Sequence, residues 1–125
     1  MKITNTLFKV ESITLHNNHL ENQKYKIVPK YKKQIDKLSD DEYAIKLSII
    51  LESTVENAFP ANFSIIFLAK FKFEDFPNDQ QKMAYMKTGA IQFMLPIARS
   101  SVNSIFTSAL FPPLFLPVID VTSIN

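Results

Sequence analysis

The sequence predicts an α+β fold in which four antiparallel strands precede one long helix. Apolar and polar side chains alternate with a period of two in several segments before residue 75. The apolar period lengthens to three or four residues over 78–108, as in an amphipathic helix. A stretch rich in proline, leucine and phenylalanine, LFPPLFLP at 110–117, follows the helix. Strands grouped ahead of a helix are typical of the α+β class.

The composition fits one globular domain over residues 1–125. Apolar residues make up 46% of the chain and charged residues 21%, as in folded domains with a core. The absence of cysteine excludes disulfides and thiolate metal sites, and a single glycine excludes a glycine-rich phosphate loop. Neither a signal peptide nor an apolar run of membrane-spanning length is recognisable, so we expect a cytoplasmic protein without membrane insertion.

The first strand is predicted over residues 7–16, LFKVESITLH. Its apolar side chains change parity halfway, because Phe8 and Val10 share one parity whereas Ile13 and Leu15 share the other. One inserted residue between the two pairs would return all four to the same face. We therefore expect a β-bulge near residues 11–12.

The second strand is predicted over residues 24–35, where apolar residues alternate with lysines. Tyr25, Ile27 and Tyr31 share one parity. The other parity holds Lys24, Lys26, Lys30 and Lys32. Pro29 predicts an edge position, because proline cannot donate to a central ladder. The lysines are interpreted as a solvated face that protects an edge strand, with single-stranded nucleic-acid binding as an alternative because aromatic residues lie between them.

The third and fourth strands alternate most clearly and follow a predicted turn at 39–42. In the third strand, over 43–52, the predicted core side chains are Tyr43, Ile45, Leu47, Ile49 and Leu51. In the fourth they are Phe63, Ile65, Phe67, Phe71 and Phe73. Ile66 and Leu68 fall on the opposite face of the fourth strand, so we expect a second covering surface there, such as a partner subunit.

One amphipathic helix is predicted over residues 78–108. Asn78 is the expected N-cap, with Gln81 three residues further on. Pro96 lies inside the helix and should kink it, because an internal proline costs about 3 kcal/mol when nothing compensates. Since one helical layer covers only one face of a sheet, we expect the chain to form an oligomer.

No set of residues points to an enzyme, a metal site or a bound cofactor. His16 and His19 are the only histidines, and no carboxylate beyond Glu21 completes a zinc site near them. The adjacent pair Asp40–Asp41 is typical of a turn. The helix serines have no histidine or lysine motif beside them. We therefore expect no catalytic residue, no metal ligand and no cofactor.

The end of the predicted helix and the stretch after it, LPIARSSVNSIFTSALFPPLFLP, resemble the SecB family of protein-export chaperones. The pattern consists of Pro96, Ala98–Arg99 and Phe111–Pro112, followed by Leu114 and Leu116. LSDDEYAIKLSIILES resembles the family's third strand with its preceding turn, and LFKVESITL resembles its bulged first strand. The resemblance covers roughly residues 7–120.

The resemblance implies a Greek-key order of the four strands, with the long helix on one face. It also implies a homo-oligomer that is a dimer of dimers. Family members hold unfolded polypeptides in apolar grooves without ATP, and export members deliver them to the motor SecA. We therefore expect an ATP-independent holdase with unfolded polypeptides as clients. The side chains expected to contact clients are Tyr25, Ile27, Tyr31, Phe111, Leu114 and Phe115.

Three differences from export members favour a narrower role as an alternative. The positions that correspond to acidic SecA-docking residues are Asn17, Glu21 and Asn62, and only one of them is acidic. The net charge is +2, whereas export members are strongly acidic. The helix that follows the proline-rich stretch in the family is expected to be missing here. The alternative is a dedicated adaptor, a toxin–antitoxin-associated chaperone or a mobile-element protein that serves one client.

Overall fold

Four antiparallel strands form one sheet in the computed structural model, which describes residues 1–20 and 24–124. The strands are β1 (Lys2–Asn17), β2 (Lys30–Lys37), β3 (Glu42–Leu51) and β4 (Ala61–Glu74). Their order across the sheet is β1-β4-β3-β2. β2, β3 and β4 follow one another as neighbours and β1 lies beside β4, which is the Greek-key arrangement. The predicted α+β class and strand order are confirmed.

Two helices, α1 (Asp79–Lys87) and α2 (Gly89–Ser108), follow the sheet, and a 3₁₀ turn (Val121–Ser123) lies near the C-terminus. We call the side of the sheet that packs against the helices the helix face. It carries the core residues predicted for the third and fourth strands, and each of them is at most 2% exposed. The opposite side, called the open face, carries the other parity of each strand. Ile66 and Leu68 of β4 lie on the open face, and both side chains are half-buried.

The bulge predicted in the first strand is present. The register between β1 and β4 shifts between Val10 and Ser12, so that Val10 lies opposite Phe67 and Ile13 opposite Ile65. Both apolar pairs of β1 therefore lie on the helix face. A second shift, between Asn5 and Leu7, was not predicted. The Asn5 side-chain amide stabilises it by donating to the carbonyl oxygen of Leu7 at 2.9 Å.

The second strand is shorter than predicted. β2 begins at Lys30, and residues 24–29 form no strand. Its edge position is confirmed, but the expectation that Tyr25 and Ile27 share a strand face with Tyr31 is wrong. Pro29 offers no N–H to a ladder, and the backbone of Lys26 bonds to the Asn57 side chain instead.

The helical layer spans the predicted residues but is interrupted at Thr88, and α2 continues through Pro96. Asn78 caps α1 as expected, because its Oδ1 accepts from the backbone N–H of Gln81 at 3.0 Å. Thr88 ends α1, with its hydroxyl donating to the carbonyl of Ala84 at 3.1 Å. Pro96 is an exposed position within α2. Solvent is therefore available to the carbonyl of Gln92 that proline leaves without a helical donor.

The interruption brings the only glycine of the chain against an aromatic ring. A Cβ atom at Gly89 would lie 2.4 Å from Cδ2 of Tyr85. The Tyr85 ring in turn contacts Phe71 and Phe73 of β4 edge to face, with centroid distances of 5.6 and 5.8 Å. Gly89 thus serves helix-to-sheet packing.

Candidate functional site

The C-terminal end of α2 closes with a strained turn. The N–H of Phe111 donates to the carbonyl of Phe106 at 2.9 Å, and the N–H of Leu110 donates to that of Thr107 at 3.0 Å. This is the Schellman arrangement, which places one residue in the left-handed region and usually has glycine there. Leu110 occupies that position with a φ of 68° and is 93% exposed. A large apolar side chain is therefore held in water by a backbone conformation that disfavours it.

The proline-rich stretch beyond this turn alternates between the core and solvent. Leu114 and Leu116 are buried, whereas Phe115 is 71% exposed. Asn103 of α2 fixes the register, because its Oδ1 accepts from the backbone N–H of Leu114 at 3.0 Å. The prolines prevent this extended segment from joining a ladder, so the same backbone buries one row of side chains and exposes the other.

A second segment, residues 24–29, lies against the β3–β4 connection through a side-chain clamp. Oδ1 of Asn57 accepts from the N–H of Lys26 at 2.9 Å, and Nδ2 of Asn57 donates to the carbonyl of Lys26 at 2.9 Å. This pair of bonds imitates one step of a β-ladder. A cleft of about 500 Å³ lies beside it, and its lining includes Tyr25, Val28 and Glu56.

A chain of aromatic rings links the two segments beneath the surface. Tyr25 packs edge to face on Phe59, with 5.2 Å between the centroids. Phe59 contacts Phe106 of α2 at 6.4 Å, and Phe106 contacts Phe111 at 5.4 Å. Phe59 and Phe106 are fully buried. Tyr25 and Phe111, which the sequence analysis nominated from distant stretches, therefore lie at the two ends of one aromatic cluster.

The remaining nominated residues have different environments. Ile27 and Tyr31 are half-buried against the core. Burial raises the pKa of the Tyr31 phenol, and the nearby positive charge of Arg99 partly opposes that shift. Leu114 is the most buried of the nominated residues, because its side chain is only 3% exposed. It belongs to the core because it occupies the inward-facing row of the proline-rich stretch.

Sequence reasoning missed several residues of this surface. Leu110 and Val118 are 93% and 86% exposed, and Val28 is also exposed. Only the stretch of leucine and phenylalanine among prolines pointed to this region. Asn57 and Asn103, which position the two segments, carry no sequence signal, because an asparagine clamp depends on a partner backbone distant in the chain.

A second apolar strip lies where β1 meets α2. Val10 and Ile13 are on the helix face of β1, yet they are exposed. Phe93 and Ile97, one turn apart on α2, are exposed as well. Phe93 contacts Phe8 with 6.2 Å between the centroids, which joins the two rows of the strip. The helices therefore leave the β1 margin of the helix face uncovered in the single chain.

The residues nominated for SecA docking make local contacts at one end of the sheet. Oδ1 of Asn17 accepts from the N–H of His19 at 2.7 Å. Oδ1 of Asn62 accepts from the N–H of Ser53 at 3.0 Å. Glu21 lies outside the described residues. Neutral amides thus occupy both described positions, where they stabilise turns.

The structure separates the features that suggested nucleic-acid binding. Lys30 and Lys32 lie on the open face, whereas Tyr31 between them lies on the helix face. Tyr25 lies off the strand, against Phe59. The helix face of β2 also carries Lys33 and Lys37, but the Tyr31 ring there is half-buried against the core and is separated from the lysines of the open face. Within residues 1–20 and 24–124, no cluster of three metal-ligating side chains is found, and no helix is long and apolar enough to cross a membrane.

The chain is similar to known proteins both in sequence and in fold. The family model described as preprotein translocase subunit SecB matches residues 8–124. Among solved structures, the chain is similar to a Mycobacterium tuberculosis SecB-like chaperone in complex with a ChAD peptide from the HigA1 antitoxin. That match has a TM-score of 0.77 and 17% identity, and it covers 94% of this chain and 91% of the other. No curated protein matches the sequence.

Proposed function

The chain belongs to the SecB family, and from this premise we propose that it is an ATP-independent holdase that binds unfolded or extended polypeptides. The proposed activity is binding alone, without a catalytic step or a cofactor, and it is carried out in the cytoplasm. The observation that carries the proposal is the apolar surface at the end of α2, where Leu110 and Phe115 are 93% and 71% exposed. Exposed apolar surface of this kind marks sites that bind other chains.

The strained turn supports a binding role for this surface. Leu110 adopts a left-handed backbone conformation that costs a residue with a Cβ about 1–2 kcal/mol. Its exposed side chain gains no burial in return. Strain that persists without a packing benefit is a feature of functional segments.

We assign client contact to the surface at both ends of the aromatic cluster. The contact residues are Tyr25, Ile27, Tyr31, Leu110, Phe111 and Phe115. Leu114 contributes by anchoring the stretch from below. An extended polypeptide exposes apolar side chains whatever its sequence. An apolar surface without specific polar partners can therefore bind clients of many different sequences.

The test is suppression of aggregation of a reduced, unfolded model protein, followed by light scattering. We expect suppression by the wild-type chain and its loss in Leu110→Ser/Phe115→Ser. Leu38→Ser, at an exposed leucine of the β2–β3 turn, is the matched control and should retain activity. No suppression by wild type at a several-fold excess, or an equal loss in the control, would contradict the proposal.

We further propose that the second apolar strip is the contact between copies of the chain. Val10, Ile13, Phe93 and Ile97 are exposed together, and β1 is an edge strand with an unpaired outer side. A dimer of dimers formed through these surfaces would bury the second apolar strip and cover the outer side of β1. Light scattering after gel filtration should give an oligomer for wild type and a smaller species for Ile13→Asp/Ile97→Asp. A monomeric wild-type chain would rule this assembly out.

The choice between a general export role and one dedicated client depends on SecA. Neutral amides at Asn17 and Asn62 favour the dedicated role, because they remove the negative charge expected at a SecA-docking face. The similar Mycobacterium tuberculosis chaperone was solved with an antitoxin peptide, which is one form such a role takes. Calorimetric titration with SecA should show no binding if the role is dedicated, whereas tight binding would favour export.

A further inference from the structure

The open face of the sheet carries more lysines than acidic side chains. The strand register places these lysines on it: Lys2, Lys9, Lys30, Lys32, Lys46, Lys70 and Lys72. The acidic side chains of the same face are Glu11, Asp36, Glu42 and Glu74. All four strands contribute lysines, so the positive charge belongs to the face as a whole.

Three of these lysines occupy neighbouring positions of β1 and β4 and have no ion-pair partners among the residues that the structure describes. Lys46 pairs with Glu11 at 3.1 Å and Lys30 with Glu52 at 2.8 Å. By contrast, Lys9, Lys70 and Lys72 have no carboxylate within 4.0 Å among residues 1–20 and 24–124.

The strand register places the backbone positions of this group close to one another. Lys9 lies opposite Leu68, which makes Lys70 its diagonal neighbour at roughly 7–8 Å. Lys72 is two residues further along the same face of β4, about 7 Å from Lys70. Glu42 of β3 lies opposite Lys72 without forming an ion pair with it, whereas Lys9 lies opposite Leu68 and Lys70 lies opposite Leu7 and Ala44.

Aliphatic side chains lie among these amines. Leu68 lies opposite both Lys9 of β1 and Lys46 of β3, and Leu7 lies opposite Lys70. Both leucines are half-buried, as is Ile66 next along β4. The face therefore combines unpaired positive charge with aliphatic contact surface. A partner that satisfies both must supply carboxylates and apolar side chains together.

The chemistry of the face favours a protein segment over nucleic acid. Single-stranded nucleic acids bind through stacking on aromatic rings as well as through charge. Among the residues that the structure describes, the open face has no phenylalanine or tyrosine, since the alternation sends the aromatic residues of β2, β3 and β4 to the helix face. Aliphatic side chains complement leucine and isoleucine better than they complement bases.

We propose that the open face is a docking site for an acidic, aliphatic-rich segment of a partner protein. Carboxylates of the segment contact Lys9, Lys70 and Lys72, and its aliphatic side chains pack on Leu7 and Leu68. The site is separate from the client surface, because the sheet lies between it and α2. Occupation of one surface therefore leaves the other available, and a client and an acidic partner are bound together.

The experiment measures fluorescence anisotropy of a labelled peptide made of four Glu-Glu-Leu-Ser repeats. We expect saturable binding at about 50 mM salt that is lost near 0.5 M, because screening weakens exposed charge pairs. Lys9→Gln/Lys70→Gln/Lys72→Gln should weaken binding about tenfold or more, since each removed amine leaves a carboxylate unpaired. Lys24→Gln/Lys26→Gln/Lys87→Gln removes the same charge outside the open face and should leave affinity within about twofold.

Further arms identify the surface and the class of partner. Phe115→Ser tests the client surface and should leave peptide binding unchanged. A thymidine oligonucleotide of the same length should bind more weakly than the peptide. If the triple variant melts at a lower temperature than wild type, peptide binding is measured on Lys70→Gln/Lys72→Gln, which changes fewer residues. The proposal is overturned by absent peptide binding, by equal losses in the two lysine variants, by loss in Phe115→Ser, or by tighter binding of the oligonucleotide.

Discussion

The two ends of the helical layer are attached to the sheet by different chemistry. At the α1 end, the Lys82 amine is buried; it donates to the carbonyl of Asp40 and lies 3.5 Å from Oδ1 of Asp79. Lys37 of β2 pairs with the same Asp79 at 2.9 Å. At the α2 end, the buried ring of Phe106 packs among Phe59, Phe63 and Phe111.

The difference shows which end has surface left for binding. Charged and polar groups at the α1 end find partners within the chain, so this end is closed by its own contacts. At the α2 end, by contrast, some apolar side chains are left uncovered by residues 1–20 and 24–124. Beyond the buried aromatic rings, Leu110, Phe115 and Val118 are exposed to solvent. Substitutions at the two ends should therefore differ in their effects on stability and on client binding.

The largest effect is expected for Phe106→Ala. Removing a fully buried ring that contacts three others should lower the free energy of unfolding by about 3–5 kcal/mol. Phe115→Ala, in the exposed row of the same end, should change it by less than about 0.5 kcal/mol. Urea denaturation measures both. Similar costs for the two variants would contradict the division into an anchoring row and an exposed row.

Lys82→Met should have the next largest effect, at the other end of the layer. The methionine retains the apolar stem but leaves the carbonyl of Asp40 without its donor, which should cost about 1–3 kcal/mol. Lys87→Met on the same helix is the control, because Lys87 is exposed. Equal stability of Lys82→Met and wild type would show that the polar contacts do not anchor α1.

Leu110→Gly should stabilise the chain while weakening client binding. Glycine relieves the left-handed strain that costs a residue with a Cβ about 1–2 kcal/mol, offset in part by its greater freedom in the unfolded state. Unfolding and aggregation-suppression measurements on the same variant separate the two effects. If the variant is less stable than wild type, the Leu110 side chain contributes to packing despite its exposure.

The smallest effect concerns pH at the α1 end. The hydrogen bond and charge of Lys37 hold the pKa of Asp79 below its ordinary value of 3.8. A lowered carboxyl pKa stabilises the fold above the unfolded-state value and loses that contribution as pH falls through the folded-state value. Asp79→Asn should therefore melt slightly below wild type at pH 7, and this difference should vanish at about pH 2. If the two melting temperatures still differ in acid, the effect of the substitution comes from packing and not from the charge of Asp79.

The sequence by itself determined the elements whose signal is local. Alternation in β3 and β4 predicted their buried faces, and the parity change between Val10 and Ile13 predicted the bulge of β1. Asn78 identified the start of α1. Each is decided by side chains within a few residues, because strand and helix periods act over that distance.

Tertiary structure decided the features that depend on distant partners. The helical layer breaks at Thr88 because Tyr85 packs against Gly89 and β4, whereas Pro96 is tolerated at a solvated position. β2 begins late because Asn57 holds Lys26. Leu114 is buried because Asn103 sets the register of its segment. In each case the local pattern allowed two outcomes, and a contact with a residue elsewhere in the chain made one lower in free energy.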